Sequence, residues 1–149
     1  MDTPDAGGPP ERIVVGFDGS PSSKAALRWA LKQAKATGAE VEAVHAWQYP
    51  LSFGTPVALL PGEDIAAEAG TALATAIGDA APGDSGVTVR HRVVLGDPAS
   101  VLLGQAENAD LLVVGNRGYG GFARSLLGSV SQHCIHHAAC PVVVVRDEN

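Results

Sequence analysis

The sequence is poor in the residues on which several classes of protein depend. Of its 149 residues only two are cysteine, 5% are aromatic and 17% are charged, with 10 basic against 16 acidic side chains. Two cysteines are too few for a disulfide framework. A net charge of −6 provides no basic surface against a phosphate backbone, so we expect no nucleic-acid binding. No apolar run approaches the ~18 residues that span a bilayer, so we expect no membrane insertion.

The first residues, MDTPDAGGPPE, lack both the basic and the apolar region of a signal peptide. We therefore predict that residues 1–10 are a disordered lead-in, that residues 11–149 form one domain, and that the protein is cytoplasmic. A hydrophobic content of 46% over this length is enough for one buried core.

What the sequence does contain is a strict alternation of apolar, β-branched runs with helical patterns. The predicted strands are residues 12–17, 41–47, 87–96, 110–114 and 142–146. The predicted helices run from the serines at 20–23 to Thr37, over 63–80, from Pro98 to Asn108, and from Ser129 or Ser131 to near Ala139. Residues 48–62, with three prolines, are predicted as a long irregular loop of the kind that is more often functional than idle.

Alternating strands and helices with nearly continuous apolar strands predict a parallel sheet that is covered on both faces. With right-handed crossovers this is a doubly wound α/β sandwich, Rossmann-like or flavodoxin-like, with the third strand as a candidate edge strand. In such sheets ligands bind beyond the carboxyl ends of the strands, where the strand order reverses.

Two of the loops that follow strands are unusually rich in Gly, Ser and Asp. GFDGSPSS (residues 16–23) follows the first strand, and GNRGYGGFARSLLGSVS (residues 115–131) follows the fourth. If the two loops face each other across the switch point, the first and fourth strands are neighbours. The strand order is then 3-2-1-4-5.

Known phosphate-binding motifs fit the second loop poorly. A Walker A loop needs a lysine after its last glycine, and none is present. Gly118, Gly120 and Ala123 match a dinucleotide fingerprint, but the acidic residue expected about 20 positions later is missing, because that region reads HAACP.

A different spacing fits better: Gly115, Gly118 and Gly128-Ser129 stand as G-x2-G-x9-G-[ST]. With this pattern the chain resembles the universal stress protein family, in its ATP-binding branch. The likeness extends from residue 12 to residue 146 and includes VVGFDGSPSS, VHAW, the GDP turn and HAACPVVVV. It implies a Rossmann-like sandwich of the adenine nucleotide alpha hydrolase type, whose five-stranded parallel sheet has the order 3-2-1-4-5.

The resemblance also implies roles for individual residues. Gly115 and Gly118 would let the backbone approach phosphates, and Arg117 would add charge there. The last helix would direct its first N–H groups and the hydroxyls of its serines at an anion. The candidate binding residues are Gly16 and Asp18 (adenosine end, with Asp18 toward a ribose hydroxyl or a metal), Ala46 (adenine, through its backbone), Val114, Gly115, Arg117, Gly118, Gly128, Ser129, Val130 and Ser131.

The function implied by the resemblance is that of a stress-response regulator. It would bind ATP, with Mg²⁺ on the phosphates, and form a homodimer by pairing of residues 142–146 at the sheet edge. A weak ATPase or nucleotide-dependent phosphotransferase, a cyclic AMP binder and a family member with a vacant site are the alternatives. No nucleophile–base pair is visible, so we name no catalytic residue. Retention of the glycine pattern argues against the vacant site.

A second cluster, HCIHHAAC, is a weaker candidate for a ligand site. His133 and His137 have the i, i+4 spacing that metals use on a helix. No carboxylate or further cysteine pair completes a tetrahedral set nearby, so we expect no metal. Cys134 and Cys140 lie six residues apart across the predicted helix end, a poor geometry for a disulfide.

Overall fold

The structure is a computed structural model that describes residues 10–48, 51–52, 55–56, 62–81, 86–117 and 127–147. Its elements in chain order are β1 (Arg12–Gly16), α1 (Pro21–Thr37), β2 (Glu40–Trp47), β3 (Leu51–Ser52), β4 (Thr55–Pro56), α2 (Gly62–Ala80), β5 (Val89–Leu95), α3 (Pro98–Ala106), β6 (Leu111–Gly115), α4 (Ser129–His137) and β7 (Val142–Val145).

The five longer strands form one parallel sheet in the order β5-β2-β1-β6-β7. Counted along the chain without the short strands, this is the order 3-2-1-4-5, so the predicted fold is confirmed. The third of these strands, β5, lies at one edge as expected, and β7 lies at the other. In the central register Val14 of β1 lies between Glu42 of β2 and Leu112 of β6.

Side chains of alternate strand residues pack on the two faces of the sheet. Val15 and Val113 face α1 and α2, whereas Val14, Val44 and Leu112 face α3 and α4. These five side chains are almost fully buried. Since complete burial of one such side chain contributes about 1.5–3 kcal/mol, the two apolar layers hold the helices on the sheet.

Helix α1 shows how the local sequence sets the boundaries of an element. Ser20 caps the helix by accepting a hydrogen bond from the Ser23 N–H, and Pro21 occupies its first turn. The helix ends at Gly38, which adopts the left-handed conformation with φ 80°. Buried residues recur every three to four positions along one face of the helix, at Ala26, Leu27, Ala30, Leu31 and Ala34.

Several elements differ from those predicted, and the strand ends are shifted by one or two residues, as in β5 (Val89–Leu95 against 87–96). Within the expected irregular loop 48–62, β3 and β4 pair as a short antiparallel ribbon. Helix α3 ends at Ala106, two residues early. Helix α4 ends at His137 and not near Ala139, because Ala138 is already extended, with ψ 144°.

A buried carboxylate joins β1, β2 and β5 of the sheet. Glu42 of β2 is 7% exposed, and its carboxylate lies 3.0 Å from Arg12 Nη2 and 3.1 Å from Arg92 Nε. Arg12 also donates to the Gln105 carbonyl at the end of α3. The charged residues thus tie β1, β2, β5 and α3 together.

None of the helices in the described part of the chain combines the length and hydrophobicity that a membrane crossing requires. The predicted lead-in, residues 1–10, lies outside the described residues except for Pro10. The single domain over 11–149 and the cytoplasmic location stay predictions.

Candidate functional site

The candidate site is a cavity at the switch point of the sheet. β1 and β6 are neighbours, but the helix after β1 packs on one face and the helix after β6 on the other. Beyond their carboxyl ends lies a cavity of about 250 Å³, slightly smaller than the about 300–1,000 Å³ typical of small-molecule sites. Its lining among the described residues comprises Gly16, Phe17, Asp18, Ser20, Ser23, Val44, Ala46, Pro98, Leu102, Val114, Gly115, Arg117, Gly128, Ser129, Val130 and Ser131.

Ten of the eleven predicted site residues line this one cavity. The ten are Gly16, Asp18, Ala46, Val114, Gly115, Arg117, Gly128, Ser129, Val130 and Ser131. Gly118 lies outside the described residues, as do Gly120 and Gly121. The loops after β1 and β6, about a hundred residues apart in sequence, therefore meet, while the contacts of each residue with a ligand stay predictions.

Asp18 sits in a tight turn at the mouth of the cavity. Its Oδ1 accepts a hydrogen bond from the Ser20 N–H at 2.9 Å, and Gly19 supplies the positive φ, 84°, that the turn requires. Asp18 itself is exposed. The Asp18 carboxylate therefore stabilises the turn, and Asp18 also lines the cavity.

The two loops are joined by hydrogen bonds between the first turn of α1 and the end of β6. The Ser22 hydroxyl, 1% exposed, contacts both the backbone N–H and the carbonyl of Arg117. The Ser20 hydroxyl donates to the same carbonyl at 3.4 Å. Buried hydroxyls therefore fix the Arg117 backbone beside the cavity.

Gly115 is needed for this close approach. A Cβ at this position would lie 2.6 Å from the Ser22 carbonyl carbon and 2.8 Å from the Ser23 nitrogen, with the Ser22 hydroxyl also in contact. These atoms belong to α1. Packing of β6 against α1 thus already requires glycine at 115, whereas the resemblance explained this glycine by the approach of a phosphate.

The wall of the cavity on the α3 side is apolar. Val44, Val114 and Leu102 are at most 5% exposed, and Pro98 begins α3 next to them. A Cβ on Gly16 would lie 2.7 Å from Leu102 Cδ1, so a glycine there preserves the space between β1 and α3.

The opposite wall is the first turn of α4. Gly128 is its N-cap, with φ −75° and ψ 169°, and makes no side-chain capping bond. The N–H groups at the start of a helix have no partner within the helix and carry partial positive charge. Ser129 is exposed. Ser131 is 2% exposed, and its hydroxyl donates to the carbonyls of Gly128 and Asn116.

Arg117 is the one basic side chain among the described lining residues. Its Nη2 lies 3.3 Å from the carboxylate of Asp147, which follows β7. Neither side chain is fully exposed, with fractions of 30% for Arg117 and 18% for Asp147. The guanidinium of Arg117 at the cavity is therefore paired with the carboxylate of Asp147.

The histidine and cysteine cluster of α4 is not part of the cavity. The His133 and His137 rings are 5.9 Å apart, and the described residues contain no group of three or more potential metal ligands. Cys134 and Cys140 are free thiols. Burial, with a smaller contribution from Cys140, raises the pKa of Cys134 to about 11, so this thiol is unreactive at neutral pH.

Sequence reasoning missed six lining residues: Phe17, Ser20, Ser23, Val44, Pro98 and Leu102. Val44 could have been found, because it lies two residues before Ala46 and therefore on the same face of β2. Ser20 and Ser23 belong to the loop that was singled out. Pro98 belongs to the GDP turn that was quoted for the resemblance, whereas Leu102 depends on how α3 docks, for which the sequence has no signal.

The fold and the site define a doubly wound α/β protein with a cavity at its switch point. Comparison with known families makes this specific: the model of the universal stress protein family matches residues 10–146, and the chain belongs to this family.

Curated relatives support the assignment. A universal stress protein of Mycobacterium tuberculosis (strain H37Rv) is 39% identical over 137 residues, which cover 90% of this chain and 45% of the relative. A second one from the same strain is 37% identical over 140 residues, covering 90% of this chain and 43% of the relative. The chain thus spans about half the length of these relatives.

Solved structures share the fold. The universal stress protein UspA from Lactobacillus plantarum has a TM-score of 0.75 at 24% identity, covering 91% of this chain and 97% of that one. A universal stress protein in complex with cAMP has a TM-score of 0.62 at 31% identity, covering 93% of this chain and 98% of that one.

Proposed function

We propose that this chain binds an adenine nucleotide, ATP in particular, in the cavity between β1 and β6, and that it acts as a homodimeric regulatory protein of the stress response. The observation that carries the proposal is the division of the cavity. One wall is apolar, and the other presents the first turn of α4 together with the guanidinium of Arg117.

The apolar wall suits a purine base. Val44, Val114 and Leu102 form a buried surface, and Ala46 lies at the end of β2 beside them. Burial of a flat, weakly polar ring between aliphatic side chains is favourable in proportion to the apolar area removed from water. We place the adenine there, with the ribose toward Asp18.

The polar wall suits phosphates. Helix N-termini bind anions because their unpaired N–H groups and the helix dipole both favour negative charge. Ser129 and Val130 start α4 at this wall, and Arg117 adds a full positive charge. Since the described residues contain no cluster of metal ligands, we propose that Mg²⁺ enters on the phosphates.

Cyclic AMP is the second candidate. The solved relative in complex with cAMP is 31% identical and is matched over 98% of its length. Cyclic AMP has the adenine and a phosphate but less charge than ATP. A measured order of affinity therefore separates the two nucleotides.

The test begins with nucleotide carried through purification. Freshly purified protein is denatured and the released small molecules are separated by chromatography, and we expect an adenine nucleotide. Calorimetric titration with ATP, AMP, cyclic AMP and GTP then ranks the ligands. If cyclic AMP binds more tightly than ATP, cyclic AMP is the preferred ligand and the assignment of ATP is wrong. If none of the four nucleotides binds, the proposal is refuted.

A variant pair locates the site. Gly128→Val places a branched side chain at the start of α4, and we expect at least about a tenfold loss of affinity, because the side chain displaces the phosphates from the helix end. Gly78→Val makes the same change on the exposed side of α2, where a Cβ meets nothing within 4 Å, and should bind as the wild type does. Equal affinity of the two variants would place the phosphates elsewhere.

Incubating the nucleotide-loaded protein with Mg²⁺ and assaying the release of ADP tests the weak ATPase alternative.

The homodimer is proposed from the edge of the sheet. Leu112 N–H donates to the Pro141 carbonyl and Asn116 N–H to the Val145 carbonyl, so the intervening Val142 and Val144 direct their backbone groups away from β6. Among the described residues β7 pairs with β6 alone, which leaves an apolar edge for a second copy.

Sedimentation tests the dimer. We expect a dimer at micromolar concentration and a monomer for Val144→Pro, which removes an outward N–H without breaking the bonds to β6. A thermal unfolding curve checks that the variant is folded. A monomeric wild type, or a folded variant that still forms dimers, would refute pairing through β7.

A further inference from the structure

The Arg117–Asp147 ion pair lies between the cavity and the end of the chain. Nη2 of Arg117 is 3.3 and 3.4 Å from the two carboxylate oxygens of Asp147. The Asp147 side chain is 18% exposed. Salt screens a partly sheltered ion pair less than an exposed one, so the Asp147 carboxylate can act on charged groups near Arg117.

The backbone on both sides of this pair is fixed. The Ser22 hydroxyl holds the N–H and carbonyl of Arg117 against α1. The Asn116 N–H donates to the Val145 carbonyl at 2.8 Å, which fastens the end of β7 two residues before Asp147. A guanidinium that leaves Asp147 for another acceptor can therefore move by rotation of the Arg117 side chain while its backbone stays in place.

A phosphate in the cavity needs the same cation. Asp147 does not itself line the cavity among the described residues, but it forms an ion pair with Arg117, which does. Carboxylates and phosphates both accept hydrogen bonds from a guanidinium. When a phosphate approaches, its attraction to Arg117 is offset by repulsion from Asp147.

From this we propose that Asp147 competes with the phosphates of the bound nucleotide for Arg117, and so limits how strongly affinity rises with phosphate charge. The inference rests on the proposed function, and it identifies a residue outside the cavity that sets the preference among adenosine, AMP and ATP. Neutralising Asp147 should release the guanidinium to the phosphates.

The experiment is a calorimetric titration of the full chain, wild type and Asp147→Asn, with adenosine, AMP and ATP. We expect unchanged affinity for adenosine, and a gain that increases from AMP to ATP, reaching about two- to fivefold for ATP, the size expected for a partly exposed ion pair. The gain should shrink at about 1 M salt, where screening acts over ~3 Å. Asp147→Ser is a second neutral variant, and thermal unfolding confirms that each is folded.

Two controls make the result specific. Glu107→Gln removes an exposed carboxylate at the far end of α3 and should leave all three affinities unchanged. In an Arg117→Gln background, Asp147→Asn should no longer strengthen ATP binding, because the contested cation is absent.

The outcomes separate this inference from the proposed function. If the wild type binds ATP but Asp147→Asn shows no gain, or the same gain for adenosine, competition by Asp147 is wrong while nucleotide binding stands. Weaker ATP binding in Asp147→Asn would also overturn it, since Asp147 would then orient Arg117 for the phosphate. Failure of the wild type to bind any of the three ligands would refute both.

Discussion

Replacing Gly115 by alanine is the most direct test of how the two loops are joined. The added Cβ would lie 2.6 Å from the Ser22 carbonyl carbon and 2.8 Å from the Ser23 nitrogen. A relaxed contact between carbon atoms needs about 3.5–4.0 Å, so relief of the contact with the Ser22 carbonyl carbon requires β6 and α1 to separate by roughly 0.9–1.4 Å. Both of these atoms are backbone, so rotation of the Ser22 side chain, whose hydroxyl is also in contact, would not relieve the overlap.

The expected cost follows from these contacts. Overpacking of this kind costs about 1–3 kcal/mol. The separation also lengthens the 3.3 Å hydrogen bond between the Arg117 N–H and the Ser22 hydroxyl, and a lost hydrogen bond costs about 0.5–1.5 kcal/mol. We therefore expect Gly115→Ala to lower the free energy of unfolding by about 2–4 kcal/mol.

Urea denaturation followed by far-UV circular dichroism measures this difference. The matched control is Gly78→Ala, on the exposed side of α2 with nothing within 4 Å of its Cβ, which should raise the free energy of unfolding by about 0.5–1 kcal/mol. The two substitutions are chemically identical, and opposite signs are expected. A Gly115→Ala protein as stable as the wild type would refute the close packing of β6 on α1.

Two further predictions concern buried ionisable groups. Because burial raises the pKa of Cys134 from 9.0 to about 11, the unfolded chain loses this proton first, and stability should fall as the pH rises from about 9 to 11, by at most about 3 kcal/mol. Cys134→Ala should remove that part of the slope in urea titrations at each pH, and an unchanged slope would assign it to other groups. Glu42→Gln should destabilise by about 1–2 kcal/mol, because two arginines lose a buried partner. Glu40→Gln, whose carboxylate is 3.8 Å from Arg90 and more exposed, should change stability by less than about 0.5 kcal/mol, and equal losses would contradict the account.

The strand order could be predicted because the loops after the first and fourth strands carry the information. Parallel strands present their carboxyl ends on one side, and the loops starting at Gly16 and Gly115 share an unusual content of Gly and Ser. Once these loops are required to meet, their strands must be neighbours, and alternation of helices fixes the remainder. The structure confirms that adjacency through the pairing of Ile13 with Leu111.

The rest of the site depends on distances that no local pattern encodes. Leu102 reaches the cavity only because α3 docks across β1, and Asp147 reaches Arg117 only because β7 ends beside Asn116. The ion pairs of the buried Glu42 carboxylate likewise follow from strand register. Each of these contacts joins residues distant in sequence, and its existence is decided by tertiary packing.

The structure also changes which glycines carry the functional inference. Gly115 would be required even in a vacant site, because its Cβ would strike α1. Gly128 is different: its φ of −75° is open to any residue, and Ser, Asp or Asn would cap α4 at least as well. Glycine at 128 is therefore not required by backbone conformation, and under the proposed function it leaves room for the phosphates at the start of α4. Gly128, and not Gly115, therefore tests the vacant-site alternative, and a Gly128→Val protein that is stably folded yet has lost its nucleotide would argue against a vacant site in the wild type.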